Sequence, residues 1–135
     1  MHWQELEPGP DLNRAVAERL GWSVRRIVPG RQVRYQLIRP DGSVEGTYNA
    51  ERDAWMEVPS FSTRLDSALG LVEAADAELM LRRIPGVGWR AEIRHGNGVY
   101  TSGPDGEHLP DPAPVVVRAW LALQDQLTLP TGRES

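Results

Sequence analysis

The sequence predicts an α+β fold, an α/β/α sandwich in which antiparallel β-meanders are covered by three main helices. Three observations carry this. Helical apolar spacing recurs near residues 12–20, 65–74 and 113–125. Between those segments lie short alternating runs such as "VRYQLI" and "WRAEI", joined by turns rich in Pro, Gly and Asp. The order helix, strands, helix, strands, helix favours antiparallel sheets with helices on their faces.

Each element has a local reason. Residues 1–10, "MHWQELEPGP", are polar and broken by Pro8, Gly9 and Pro10, and read as a flexible arm. Asp11 stands where an N-cap is expected, and Leu12, Ala15, Val16 and Leu20 follow with helical spacing. Gly21 suits the left-handed position that ends a helix, and Trp22 is expected to fold back as a core anchor. "SVRRIV", "VRYQLI" and "VEGTY" then read as two or three strands of a meander. "RPDGS" supplies a turn in which Pro40 presets φ and Gly42 takes a positive φ. "NAERDAWMEV" reads either as a short helical turn capped by Asn49 or as a loop.

The second helix is expected to bury Leu65, Ala68, Leu69 and Val72. Its N-cap is read as Ser62 or Thr63, the latter making a capping-box pair with Asp66. A second meander follows, with "ELMLRRI", a "PGVG" turn, "WRAEI" facing Trp89, Ala91 and Ile93 inward, an "HGNG" turn and "VYTS". After a Pro/Gly loop, Asp111 and Pro112 read as N-cap and first helical residue. The last helix is apolar on most sides and is expected to be largely buried. Residues 130–135 read as a frayed tail. No repeat or linker divides the chain, so residues 1–135 read as a single domain with an inserted hairpin region at 23–57.

Composition excludes several classes of function. The formal net charge of −4 argues against sequence-independent nucleic-acid binding. No apolar run reaches the roughly 20 residues of a membrane helix. The absence of cysteine removes disulfides, thiolate zinc sites and a cysteine nucleophile. All 15 basic residues are arginine, so no lysine can form a Schiff base. His2, His95 and His108 show no metal-ligand spacing, even with Asp105 and Glu107 near the last, and no metal site is expected. "GVGWRA" lacks the third glycine of a dinucleotide loop and joins strands, and no phosphate-binding or serine-hydrolase motif occurs. Glu51, Asp53, Glu57 and Asp66 lie in polar segments, where carboxylates are usually solvated. No catalytic residue and no cofactor is expected. The N-terminus lacks a secretory signal, so cytoplasmic residence is the default.

One cluster suits ligand capture. The start of the second helix offers unpaired amides and a positive dipole end. Ser60, Ser62, Thr63 and Arg64 surround it, with Tyr48, Trp55 and Phe61 close in sequence. Amides, hydroxyls and a guanidinium fit a phosphate, and aromatic rings fit a base. The same residues also fit a plain helix start, in which a hydroxyl caps, Phe61 and Trp55 fill the core and Arg64 is solvated.

"LNRAVAERLGW", "PSFSTRLDSALGLVEA", "GWRAEI" and "APVVVRAWLAL" together resemble the phage ABA-sandwich domain family over about two-thirds of the chain. The segment from Ser23 to Val58 is longer than the family's connection. The resemblance implies an α/β/α sandwich, a phage origin and residence in the host bacterial cytoplasm, and implies no enzymatic activity. Two non-enzymatic functions are consistent with it. One is sequestration of a small anionic nucleotide-derived host immune signal. The other is binding of a host or phage protein through the inserted hairpin. A homo-oligomer is compatible with either.

Overall fold

The computed structural model describes residues 3–104 and 107–128. The frayed-tail stretch 130–135, the first two residues of the arm, His2 and Asp105 lie outside them. The fold is α+β, with two three-stranded antiparallel sheets and four α-helices among the described residues. The chain forms two compact units. One is Glu7–Ser60; the other combines the described residues of Met1–Leu6 and Phe61–Ser135.

The Glu7–Ser60 unit begins with α1, Pro10–Leu20. Pro10 occupies the first turn, where its missing N–H costs nothing. The N-cap is Gly9, whose carbonyl accepts from the Asn13 amide at 2.9 Å. Asp11 therefore sits one place inside the helix rather than capping it; there it still complements the positive dipole end. The helix closes as expected at Gly21, φ 104°. The Gly21 amide donates to the Glu18 carbonyl at 3.2 Å and the Trp22 amide to the Ala17 carbonyl at 3.0 Å. These are the two bonds of a Schellman motif. Trp22 itself is half-buried, not a fully enclosed anchor.

Strands β1 (Ser23–Ile27), β2 (Arg34–Ile38) and β3 (Val44–Tyr48) follow as a meander in the order β1-β2-β3. Leu37 is the fully buried residue of β2, opposite Val24 and Gly46. The β2–β3 turn is closed by Arg39 and Ser43, and Gly42 takes φ 92°. Asp41 caps it, accepting from the Ser43 amide at 2.8 Å and the Ser43 hydroxyl at 2.6 Å. Those bonds hold the Asp41 carboxyl below the usual aspartate range. The open reading of residues 49–58 resolves to a helix, α2 (Glu51–Trp55), capped by Ala50 and not by Asn49. It packs on all three strands and buries Ala54 and Trp55.

In the other unit, the stretch read as an arm is anchored from residue 3. Trp3–Glu5 form a 3-10 turn, and Trp3 is buried with its indole N–H donating to Asp125 Oδ2 at 2.7 Å. Helix α3 is Leu65–Ala74 with Arg64 as N-cap and no side-chain cap bond. Neither Ser62 nor Thr63 caps it. Asp66 does not complete a box either; its Oδ1 accepts from the Ser67 amide at 2.9 Å. The buried face is Ala68, Leu71 and Val72, while Leu69 is exposed, because α4 covers the former stripe. Asp76 ends this helix at φ 53°, with the same pair of bonds as α1: Asp76 amide to Glu73 carbonyl at 3.1 Å and Ala77 amide to Val72 carbonyl at 3.3 Å.

Strands β4 (Glu78–Ile84), β5 (Gly88–His95) and β6 (Gly98–Thr101) form the second meander. Ala91 and Ile93 are buried as expected, and Trp89 is half-buried. Gly88 is required by close approach: a Cβ there would meet the Leu109 carbonyl oxygen at 2.6 Å. Trp89 and Leu109 form an antiparallel bridge at that point, with N–H···O distances of 2.7 and 3.0 Å. Helix α4 (Pro112–Thr128) packs against β5, β6 and α3. Its buried residues surround the axis, from Ala113 and Val115 to Trp120 and Leu123, in line with its apolar sequence. Among the described residues, no helix is long and apolar enough to cross a membrane.

Candidate functional site

The residues expected to form a ligand site fall in both units. Tyr48, Trp55 and Ser60 belong to Glu7–Ser60, and Phe61, Ser62, Thr63 and Arg64 to the other. Phe61 and Ser62 are buried, Ser62 completely. Thr63 and Arg64 are exposed. The Arg64 guanidinium is held by Asp66, with Nη2–Oδ2 at 3.1 Å and Nε–Oδ1 at 3.3 Å. That contact raises the Arg64 pKa and lowers that of Asp66. Ser60 is exposed. Tyr48 lays its ring along its own strand: a Cβ on Gly46 would meet the Tyr48 ring and hydroxyl. Burial of the phenol, then the charges of Glu57 and Glu45, push its pKa up.

Trp55 lines a cleft of the Glu7–Ser60 unit. The cleft, of about 330 Å³, is lined by Pro10, Asp11 and Arg14 of α1 and by Glu51, Arg52 and Trp55 of α2. The Arg14 guanidinium lies 4.6 Å from the Trp55 ring centroid. This is cation–π distance. Arg14 also meets Glu18 at 3.5 Å, an exposed i,i+4 pair of small energetic weight. The Trp55 indole N–H is buried and has no hydrogen-bond partner among the described residues. Leaving such a donor unpaired costs on the order of 1–3 kcal/mol. The wall therefore carries two guanidinium groups, two carboxylates and an aromatic base. Guanidinium groups recognise oxyanions through paired N–H donors, and carboxylates accept from hydroxyls and amino groups.

Sequence reasoning found Trp55 but missed Arg14, Arg52, Asp11 and Glu51. Nothing in "LNRAVAERL" marks Arg14 off from Arg19, which is equally placed on a polar face. Its partner lies 41 positions away in the chain, beyond any local pattern.

No protein-family model matches the chain, and no curated protein sequence matches it. Its fold is similar to that of a solved structure, a phage protein from Bacillus cereus ATCC 14579. The match has a TM-score of 0.54 at 15% identity and covers 87% of this chain and 91% of the other. At that identity the likeness concerns the fold alone.

Proposed function

We propose that this chain is a non-enzymatic binding protein of phage type, which captures a small nucleotide-derived anion in the cleft between α1 and α2. The observation that carries the reading is the Arg14–Trp55 stack beside Arg52. A guanidinium placed over an indole can still direct N–H donors at a phosphate. Asp11 and Glu51 suit the hydroxyl and amino groups of a nucleoside, which a bare anion lacks. A cleft of about 330 Å³ is at the lower end of the range for small-molecule sites. The phage protein of similar fold supports a phage setting, and the sequence resemblance to the ABA-sandwich family agrees with it. In that setting, sequestering a nucleotide signal of the host's defences gives a small binding protein a purpose.

The test is extraction of the purified, heat-denatured protein followed by mass spectrometry, with Arg14→Ala and Arg52→Ala compared against wild type. A phosphorylated nucleoside recovered from wild type and lost from both variants is expected. Equal recovery from all three, or none from wild type together with no calorimetric response to nucleotides, would overturn the reading.

A second reading has its own support. Val28, Val33 and Val44 are exposed on the β1–β3 meander, at 51%, 39% and 42%. Exposed valines on a short antiparallel sheet suit capture of a protein strand. Copurification of a protein through wild type, lost on Val28→Asp, would favour it.

A further inference from the structure

The unit formed by Met1–Leu6 and Phe61–Ser135 has a larger cleft of its own, about 550 Å³. Trp3, Tyr100, Gly103, Pro104 and Glu107 line it, and Arg118 of α4 forms part of its wall. The Arg118 side chain is only 12% exposed. A guanidinium so withdrawn from water needs most of its five N–H donors satisfied. Among the described residues, Nη2 donates to the Leu6 carbonyl at 3.0 Å, and Nη1 reaches Glu107 Oε1 only at 3.5 Å. Nε is buried with no partner. The positive charge is thus under-compensated, and the carboxylate that meets it stands at the outer limit of a hydrogen bond.

We propose that this cleft is a second binding site, for a small molecule bearing an oxyanion on an apolar body, with Arg118 as its anion-binding residue. Glu107 occupies the oxyanion position in the structure. Its side chain is 42% exposed and the carboxylate lies against Gly103, where a Cβ would meet Oε1 at 2.6 Å. It can therefore leave toward solvent when a ligand oxyanion takes the fork of Arg118. The rings of Trp3 and Tyr100 and the ring of Pro104 provide the apolar wall. The walls are held ready for this. Arg90 Nη1 donates to the Pro104 carbonyl at 2.7 Å and the Glu107 carbonyl at 3.3 Å, and Trp3 is fixed by Asp125. The site is independent of the α1–α2 cleft: none of its residues is shared.

The experiment is NMR titration of the full chain with benzoate, phenyl phosphate and inorganic phosphate, following the Arg118 Nε–H signal and the amides of residues 99–104. Saturable shifts of these signals with benzoate or phenyl phosphate are expected, and the tighter of the two identifies the oxyanion. Arg118→Lys keeps the charge but not the fork, and should weaken binding about tenfold or more. Glu107→Gln removes the internal competitor and should strengthen it severalfold while the fold persists. Three results would each overturn the proposal. They are no shift of these signals in either wild type or Glu107→Gln up to about 10 mM ligand, unchanged affinity in folded Arg118→Lys, and inorganic phosphate binding as tightly as phenyl phosphate.

Discussion

Arg14 sets its guanidinium 4.6 Å from the centre of the Trp55 ring, while the indole N–H of Trp55 has no hydrogen-bond partner among the described residues. The ring and the N–H therefore make opposite contributions. The ring fills the space under α2 and the N–H is a buried, unpaired donor. Trp55→Phe should leave the denaturant midpoint near wild type, since it removes the donor with part of the ring. Trp55→Ala should cost about 3–5 kcal/mol. Arg14→Ala should cost about 0.5–1 kcal/mol, because the stack is partly solvated. Urea unfolding of the three variants checks the order. A Trp55→Phe variant as unstable as Trp55→Ala would show the N–H to be bonded.

Helices α1 and α3 end in the same motif with different residues in the left-handed position, Gly21 at φ 104° and Asp76 at φ 53°. Glycine takes such a φ without a Cβ clash, and aspartate does so at a cost. An aspartate at a helix C-terminus also faces the negative end of the dipole. Gly21→Ala should destabilise by about 1 kcal/mol or more; its Cβ would meet Pro40 only at 3.5 Å, so the backbone carries the cost. Asp76→Gly should stabilise by about 0.5–1 kcal/mol. Thermal denaturation at matched pH reads both signs, and destabilisation by Asp76→Gly would refute the comparison.

These two helix ends also mark how far the sequence could be read. The end of α1 was legible because Gly-Trp encodes it within two residues. The start of α3 was not. "PSFST" offers three hydroxyls, and none stands at the N-cap, because the helix begins at Leu65 with Arg64 as its N-cap. The choice of Leu71 over Leu69 as core is similar: both fit a helical face, and contact with α4 selects one. The residues lining the two clefts were least legible. The Trp3–Asp125 bond spans 122 positions, and the Arg118 contacts with Leu6 and Glu107 are likewise tertiary. No local spacing carries them.

Tyr48 covers Gly46, and its phenol is kept protonated by burial and by Glu57 and Glu45. A raised folded-state pKa for this acid means that folding favours the neutral phenol. The associated stability is present below the unfolded tyrosine pKa, near 10, and is lost as pH rises through the folded value. A Cβ on Gly46 would displace the ring. Gly46→Ala should therefore bring the Tyr48 titration back toward the ordinary value, seen in the carbon shift of the labelled phenol. An unmoved titration would mean that the ring is not held by this contact.

Gly88 is the point where β5 meets the loop carrying Leu109. Gly88→Ala should break the Trp89–Leu109 bridge, because the new Cβ collides with backbone that cannot swing aside. Gly86→Ala meets nothing within 4 Å and suffers only from its φ of 78°. Hydrogen exchange separates them. The Trp89 and Leu109 amides should lose protection in Gly88→Ala and keep it in Gly86→Ala. Equal loss would assign the effect to turn strain and not to the bridge.

The start of α3 poses the last question, because its guanidinium already has a carboxylate. Arg64 and Asp66 form an exposed pair, so removing Arg64 should leave the melting temperature nearly unchanged. Asp66 holds the N–H donors that a phosphate would use. If this helix start holds an anion, Asp66→Asn should bind inorganic phosphate more tightly than wild type, and Arg64→Ala should lose that binding. The amides of residues 65–67 report it directly in an NMR titration, apart from the signals of either cleft. If those amides respond alike in wild type, Asp66→Asn and Arg64→Ala, the hydroxyls, Phe61 and Arg64 serve helix initiation and packing, and the start of α3 is no anion site.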